Sequence, residues 1–300
     1  MTSLAAALAA PHLLSAGSGA KRLPIGFSTL GCPKWDWNTV LARAQEWDYA
    51  AIELRGLHGE MDLTKRPEFA DPHLADTLRE LQDAQLKISD LGASTRLHEQ
   101  SPAVRAAQLD EGRRYVDLAH RLGAPYIRVF GDRVAADQPK QATVERVISG
   151  LRELGRHAQG SGVGVLIESH GDFCDSPTLL AILKGADMPG VGLVWDAHHT
   201  VVAGKEDPAL TVRELGMYIR HVHLKDSKPE GKDVRYVLTG KGTIPLKEII
   251  GLLVKRQYQG YYSFEWEKVW HPEIEEPEVA FPQFAQVAGE YLKAGGWKAD

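Results

Sequence analysis

The chain is short of cysteine, of runs of one charge and of long apolar stretches, and each shortage removes a class of protein. It holds two cysteines, Cys32 and Cys174, far apart and in no CxxC spacing. A zinc ribbon or a dithiol redox motif is therefore excluded, and two unpaired thiols are expected. No long Lys/Arg run occurs, Arg113-Arg114 being only a pair, and the formal net charge is −5. A negatively charged chain without a basic stripe is a poor partner for a polyanion, so nucleic acid is not an expected ligand. No stretch is long and apolar enough to span a bilayer, so no membrane partner is expected either. Neither GxGxxG nor GxxxxGK[ST] is present, which argues against a dinucleotide or P-loop site. No linker rich in Pro, Gly or Ser divides the chain after Leu23.

What is present is an ordinary globular composition: 300 residues, 43% hydrophobic and 25% charged. That length buries a large core without disulfides and suits either two small domains or one α/β barrel. Residues 1–22 are set apart as an N-terminal extension. Met1 to Ala20 reads MTSLAAALAAPHLLSAGSGA, Ala/Leu-rich with a small-residue end but no basic start. A trimmed twin-arginine leader would look like this and would make the protein exported to a periplasm. The plain alternative is an extension on a cytoplasmic protein.

From Leu23 onward, short apolar runs alternate with amphipathic segments. The runs are 24–29, 50–54, 86–92, 126–132, 163–170, 191–199, 219–226 and 261–267. Helical spacing of apolar residues marks Thr39–Trp47, Pro72–Ala84, Ala103–Leu122, Ala142–Gln159, Pro177–Lys184, Leu210–Met217 and Leu246–Gln257, with a last helix within Pro282–Lys293. Eight strands joined by helical crossovers pair in parallel. The runs are nearly all apolar until their last residues, as in strands covered by helices. The reading is α/β: one (β/α)₈ TIM barrel over residues 23–300.

Active sites of such barrels lie at the C-terminal strand ends. The last four strands each bring a metal-ligand residue there: Glu168, Asp196, His223 and Glu265. Three carboxylates and one imidazole make a hard, oxygen-rich donor set, suited to Mn²⁺ first, with Mg²⁺, Co²⁺, Fe²⁺ or catalytic Zn²⁺ compatible. Without a cation the carboxylates would repel one another in a partly dry pocket. His221 shares a strand face with His223 and is expected one layer deeper, bonded within the barrel. Glu53 and Arg55 are expected to form an ion pair in the barrel mouth. His98 reads as a surface-loop histidine. Trp266, Trp270 and His271 are candidates for an apolar wall against a sugar ring.

These residues resemble the xylose isomerase-like sugar phosphate isomerases and epimerases, a family that includes ketose 3-epimerases, inosose isomerases and dehydratases, and apurinic endonucleases. The resemblance spans about residues 24–292. It rests on Glu168 in LIESHG, Asp196 and His199 in WDAHH, His223 in HVHLKD, Gly240-Lys241-Gly242 before Ile244-Pro245-Leu246, and Glu265 in FEWE. It implies that Glu168, Asp196, His223 and Glu265 bind one divalent metal. It also implies that Glu168 and Glu265 are the catalytic acid–base pair, working through an enediolate. His199 is implied as a substrate contact. His170, facing the same way as Glu168, and Lys225, two residues past His223, are further substrate-binding candidates. The expected activity is isomerisation or epimerisation of a sugar or inosose. The alternative is a lyase or dehydratase acting on a keto-sugar, inosose or 3-keto-glycoside, including C-glycoside deglycosylation. No His follows in DSKPEGKDVRYVLTGKG, which speaks against a three-zinc endonuclease site. LKDSKP also replaces the Arg-containing stretch of ketose 3-epimerases, and its HLKD form is closer to the inosose and keto-glycoside branches. Barrels of this kind often pair, so a homo-oligomer is an open expectation.

Overall fold

The computed structural model describes residues 22–134 and 136–298; the proposed leader at residues 1–20 lies outside them. Eight strands close into a parallel barrel, as the sequence predicts. They are β1 (Ile25–Ser28), β2 (Ala51–Leu54), β3 (Lys87–Arg96), β4 (Tyr126–Phe130), β5 (Gly164–Glu168), β6 (Val191–Asp196), β7 (Ile219–Leu224) and, after an added hairpin, β10 (Tyr262–Phe264). β1 closes the ring by pairing with both β2 and β10. Helices α1 (Trp37–Glu46), α2 (Asp71–Asp83), α3 (Pro102–Leu122), α4 (Lys140–His157) and α5 (Ser176–Ala186) cover the first half. The second half carries α6 (Ala197–Val202), α7 (Pro208–Leu215), α8 (Leu246–Lys255) and α9 (Pro277–Gly295). Aspartates set several helix starts: Asp36 and Asp175 each accept a backbone N–H three residues on, at 2.8 Å. Gly123 ends α3 at φ 68°, a left-handed turn that glycine adopts without strain. Cys32 and Cys174 are both free and buried.

Three local readings are corrected. The run 191–199 is strand only to Asp196. There the Asp196 carboxylate accepts the His199 N–H at 2.9 Å and starts α6, so one residue both ends a strand and caps a helix. The last helix begins at Pro277, five residues before Pro282. Pro282 lies inside α9 and removes one helical hydrogen bond. The helix continues because Ala280, Phe281 and Phe284 are buried on its inner face. The Phe281 ring sits 4.6 Å from that of Phe27 and 5.8 Å from that of Phe264.

The third is a hairpin at 226–237, beyond β7, where the sequence pattern predicts no element of its own. β8 (Asp226–Glu230) and β9 (Asp233–Val237) pair antiparallel beyond the end of β7. Asp226 ties this hairpin down. Its buried carboxylate accepts the N–H groups of Ser227, Gly240 and Gly242 at 2.9 Å and of Ile244 at 3.2 Å. The Gly-Lys-Gly turn is needed for this close approach, because a Cβ on Gly242 would stand 2.0 Å from the Asp226 carboxylate. Asp226→Ala leaves several buried donors without an acceptor, at roughly 1–3 kcal/mol for each left unsatisfied. Urea denaturation should show a loss of at least about 2 kcal/mol, with a smaller loss for Asp226→Asn.

Candidate metal centre

The parallel register that closes the barrel also assembles the site. Asp196 pairs with His223, and His223 pairs with Ser263, across β6, β7 and β10. Glu168 ends β5, and Glu265 follows β10 with its N–H on the Leu224 carbonyl at 3.2 Å. One donor atom from each of Glu168, Asp196, His223 and Glu265 falls within 4.8 Å of the other three. All four residues are buried, the most exposed being Glu265 at 4%. His223 Nδ1 lies 3.3 Å from Glu265 Oε1, 3.5 Å from Glu168 Oε1 and 4.0 Å from Asp196 Oδ2. Neither nitrogen of the His223 ring has a hydrogen-bond partner, and Nδ1 is the one these three carboxylates surround. A buried, unpartnered imidazole nitrogen ringed by carboxylate oxygens fits a divalent cation.

The charges around the four residues fit as well. Arg128 on β4, which sequence reasoning missed, places its Nε 3.0 Å from Glu168 Oε2. Burial raises the Glu168 carboxyl, but Arg128 and His223 outweigh it and bring it down to about 2. Lys225 is wholly buried and reaches Asp196 Oδ2 at 2.6 Å, Glu267 Oε1 at 2.7 Å and Glu265 Oε2. Its sequence neighbour Asp226 takes no part, being occupied by backbone N–H groups. Burial, together with Glu265 and Glu168, pushes the Asp196 carboxyl up against the pull of Lys225, a sign of crowded negative charge. The carboxylates of Glu53, Glu168, Asp196, Glu265 and Glu267 face the cations Lys225, Arg128 and Arg55. Carboxylates outnumber these cations, an excess of negative charge that a divalent ion would offset.

The remaining expected residues divide. His199 stands at the rim, with Nδ1 donating to the Ser169 carbonyl at 3.1 Å. Burial and the nearby Lys225 lower it to about 4, so it is neutral and its Nε2 is an acceptor. The His170 ring lies 5.0 Å from that of His199 and 4.6 Å from that of Phe130, with Nδ1 3.4 Å from Asp132. His221 is one layer deeper, as expected, and bonds Glu53 at 2.8 Å.

Glu53 and Arg55 do not pair with each other. Glu53 points into the barrel to His221, His223 and Ser263, while Arg55, a layer nearer the rim, donates to Ser94 at 3.1 Å. Between Arg55 and Arg128 lies Gly92, where a Cβ would stand 2.6 Å from one side chain and 2.8 Å from the other. His98 is not a surface histidine; its side chain is 17% exposed and its Nδ1 is buried. Trp266 is core, stacked on Phe264 at 5.4 Å with its N–H on the Glu275 carbonyl, so it forms no substrate wall. Trp270 is 57% exposed, and His271 packs on Tyr236 of β9 at 4.9 Å. Tyr236 also covers His198 at 5.3 Å, which makes the hairpin one side of the site.

The sequence matches the model of the xylose isomerase-like TIM barrel over residues 41–283. The chain belongs to this family. It is 29% identical over 171 residues to an inosose dehydratase of Bacillus anthracis, a match covering 50% of this chain and 55% of that protein. It is 24% identical over 168 residues to a fructoselysine 3-epimerase of Shigella flexneri, covering 54% and 59%. The chain thus spans little more than half the length of the curated relatives it matches. Among solved structures, the IOLI protein with a bound zinc atom superposes with a TM-score of 0.73 at 18% identity, covering 92% of this chain and 99% of that one. Among the described residues no helix is long and apolar enough to cross a membrane.

Lys225 is the buried cation shared by three carboxylates. Its replacement by Met leaves them uncompensated, and breaking a buried pair in this way costs about 3–5 kcal/mol. Urea unfolding of Lys225→Met in the presence of a chelator should show a loss of that size.

Proposed function

We propose that this protein is a divalent-metal-dependent enzyme that removes a proton beside the carbonyl of a polyhydroxylated ketone, with Glu168 and Glu265 as its acid–base pair. The observation that carries the reading is His223 Nδ1, buried without a hydrogen bond and faced by oxygens of Glu168, Asp196 and Glu265. Glu168, Asp196, His223 and Glu265 would hold the ion. Mn²⁺ is the preferred ion for this donor set, and Mg²⁺, Co²⁺, Fe²⁺ and Zn²⁺ are compatible. Once bound, it supplies positive charge for substrate oxygens that turn negative as the proton leaves.

The protein's own groups define the proton path. Glu168 is held by a guanidinium, which does not give up its proton, so the carboxylate stays ionised and able to accept. Glu265 is held by Lys225, an ammonium that carries a transferable proton. Removal by one carboxylate and return by the other on the opposite face inverts a centre, which is the isomerase or epimerase reading. Neutral His199 accepts from a substrate hydroxyl, and His170 beside it offers a second polar contact. Lys225 neutralises a developing oxyanion or an acidic group of the substrate. The substrate class is a small carbohydrate, either a ketose or an inosose.

A second reading, elimination by a lyase or dehydratase, is favoured by the asymmetry of the two carboxylates. The Glu265–Lys225 pair is suited to protonating a departing hydroxyl or alkoxide, and the similarity to inosose dehydratase points the same way. A keto-sugar, an inosose or a 3-keto-glycoside, C-linked glycosides included, presents the required leaving group.

Elemental analysis of the purified protein should find about one divalent ion per chain. Chelation should abolish turnover, with Mn²⁺ the best at restoring it. Glu168→Gln and Glu265→Gln should each lower turnover by at least about 100-fold and reduce metal content. Unchanged activity and metal content in both variants would eliminate the proposal. In D₂O, deuterium should enter the carbon beside the carbonyl. Exchange with all substrate groups retained identifies epimerisation, and release of water, an alcohol or a phenol identifies elimination.

A further inference from the structure

The geometry points to Glu53 as the positioning residue of the metal centre: from the opposite side of the barrel it fixes the ring of His223 so that Nδ1, and not Nε2, is the ligand atom. This inference rests on the metal reading above and adds a residue to it. Glu53 lies on β2, across the barrel from β7, and is fully buried. Three groups converge on its Oε2. His221 Nε2 and Ser263 Oγ are each 2.8 Å away, and His223 Nε2 is 3.0 Å away.

The chemistry of the acceptor decides the histidine tautomers. An ionised carboxylate only accepts, so His221 Nε2, which hydrogen-bonds Oε2, carries a proton. The same negative charge favours the His223 proton on Nε2, the nitrogen 3.0 Å from Oε2, although that contact lies off the line of a hydrogen bond. Ser263 likewise donates its hydroxyl proton to that oxygen. With its proton on Nε2, neutral His223 has its lone pair on Nδ1. That atom is the one 3.3 to 4.0 Å from the carboxylate oxygens of Glu265, Glu168 and Asp196. A carboxylate behind a ligating histidine orients the ring and makes it a better donor. His221 and Ser263 hold Glu53 in turn, His221 one turn of the pleat below His223 and Ser263 at the position paired with His223 on β10.

Arg55, the nearest cation in sequence, is bonded to Ser94. An interior glutamate serving only as core would leave a charge with no purpose in a fully buried layer. The amide of Glu53→Gln has nearly the same shape and can still accept, but it carries no charge and can turn an N–H toward His223. The protonation of both imidazoles is then no longer dictated.

Cobalt(II) titration of the chelator-treated, full-length protein tests this, followed by calorimetry and by the visible absorption of the bound ion. Wild type should bind one Co²⁺ with a defined spectrum. Glu53→Gln should bind it about 10- to 100-fold more weakly and with an altered spectrum. Ser263→Ala removes one of the bonds holding Glu53, so it should weaken binding by between about two- and tenfold. Thermal melts of the metal-free variants show whether each is folded, and Ser263→Ala carries the test if Glu53→Gln is not. If wild type binds no Co²⁺, the metal reading itself has failed. If wild type binds and a folded variant binds equally tightly with the same spectrum, the role of Glu53 is overturned while the metal reading stands.

Discussion

The constraint on which this molecule depends is the burial of many charges inside a barrel that such folds usually fill with branched apolar side chains. Glu53, Asp90, Arg128, Glu168, Asp196, His221, His223, Lys225 and Glu265 are each at most 4% exposed. An unpaired ion at such depth would cost several kcal/mol, so each must be matched locally. The matches are visible: Arg128 with Glu168, Lys225 with Asp196, Glu265 and Glu267, and Glu53 with two histidines. Asp90, next to Glu53 on β3, is pushed well up by burial and by Glu53, which favours its uncharged form. What remains unmatched collects at His223 and the carboxylates around it.

The surrounding architecture serves to keep those charges in register. Parallel pairing sets Asp196 beside His223 and His223 beside Ser263, so a slip of one residue would turn the ligands out of the barrel. Asp196 is fixed twice, once by capping α6 and once by Lys225. The hairpin of β8 and β9 is fixed by Asp226 and places Tyr236 over His198. Stability and chemistry therefore draw on the same side chains. Substitutions near the site are expected to affect both, because the buried charged groups share partners.

The two candidate acid–base carboxylates differ in the cation that holds each. A guanidinium fixes charge, and an ammonium can surrender a proton. One fold with one ligand set can thus lean toward inverting a centre or toward expelling a group. Relatives named as an epimerase and as a dehydratase, both in the range of 24% to 29% identity, fit such a shared framework. In the proposed reading, that leaning would be set by buried Lys225 and by His199 and His170.

The fold and the four candidate ligand residues were legible from sequence because they follow from periodic patterns. Eight apolar runs alternate with amphipathic segments, and a ligand-type residue ends each of the last four. A strand's alternation also put His221 below His223. Contacts across the barrel were not legible. Glu53 and His221 are 168 residues apart, and only ring closure brings them together, so the sequence neighbours Glu53 and Arg55 were paired wrongly. Arg128 did leave a signal, a lone charge between apolar residues in YIRVF, but its partner Glu168 could not be read from that strand. The hairpin escaped because its ties run through the backbone N–H groups of a glycine turn to Asp226, and backbone donors have no sequence signature. Local periodicity, written in consecutive residues, determined the barrel and its candidate ligands. Which charge neutralises which was decided only when strands distant in sequence closed into a ring.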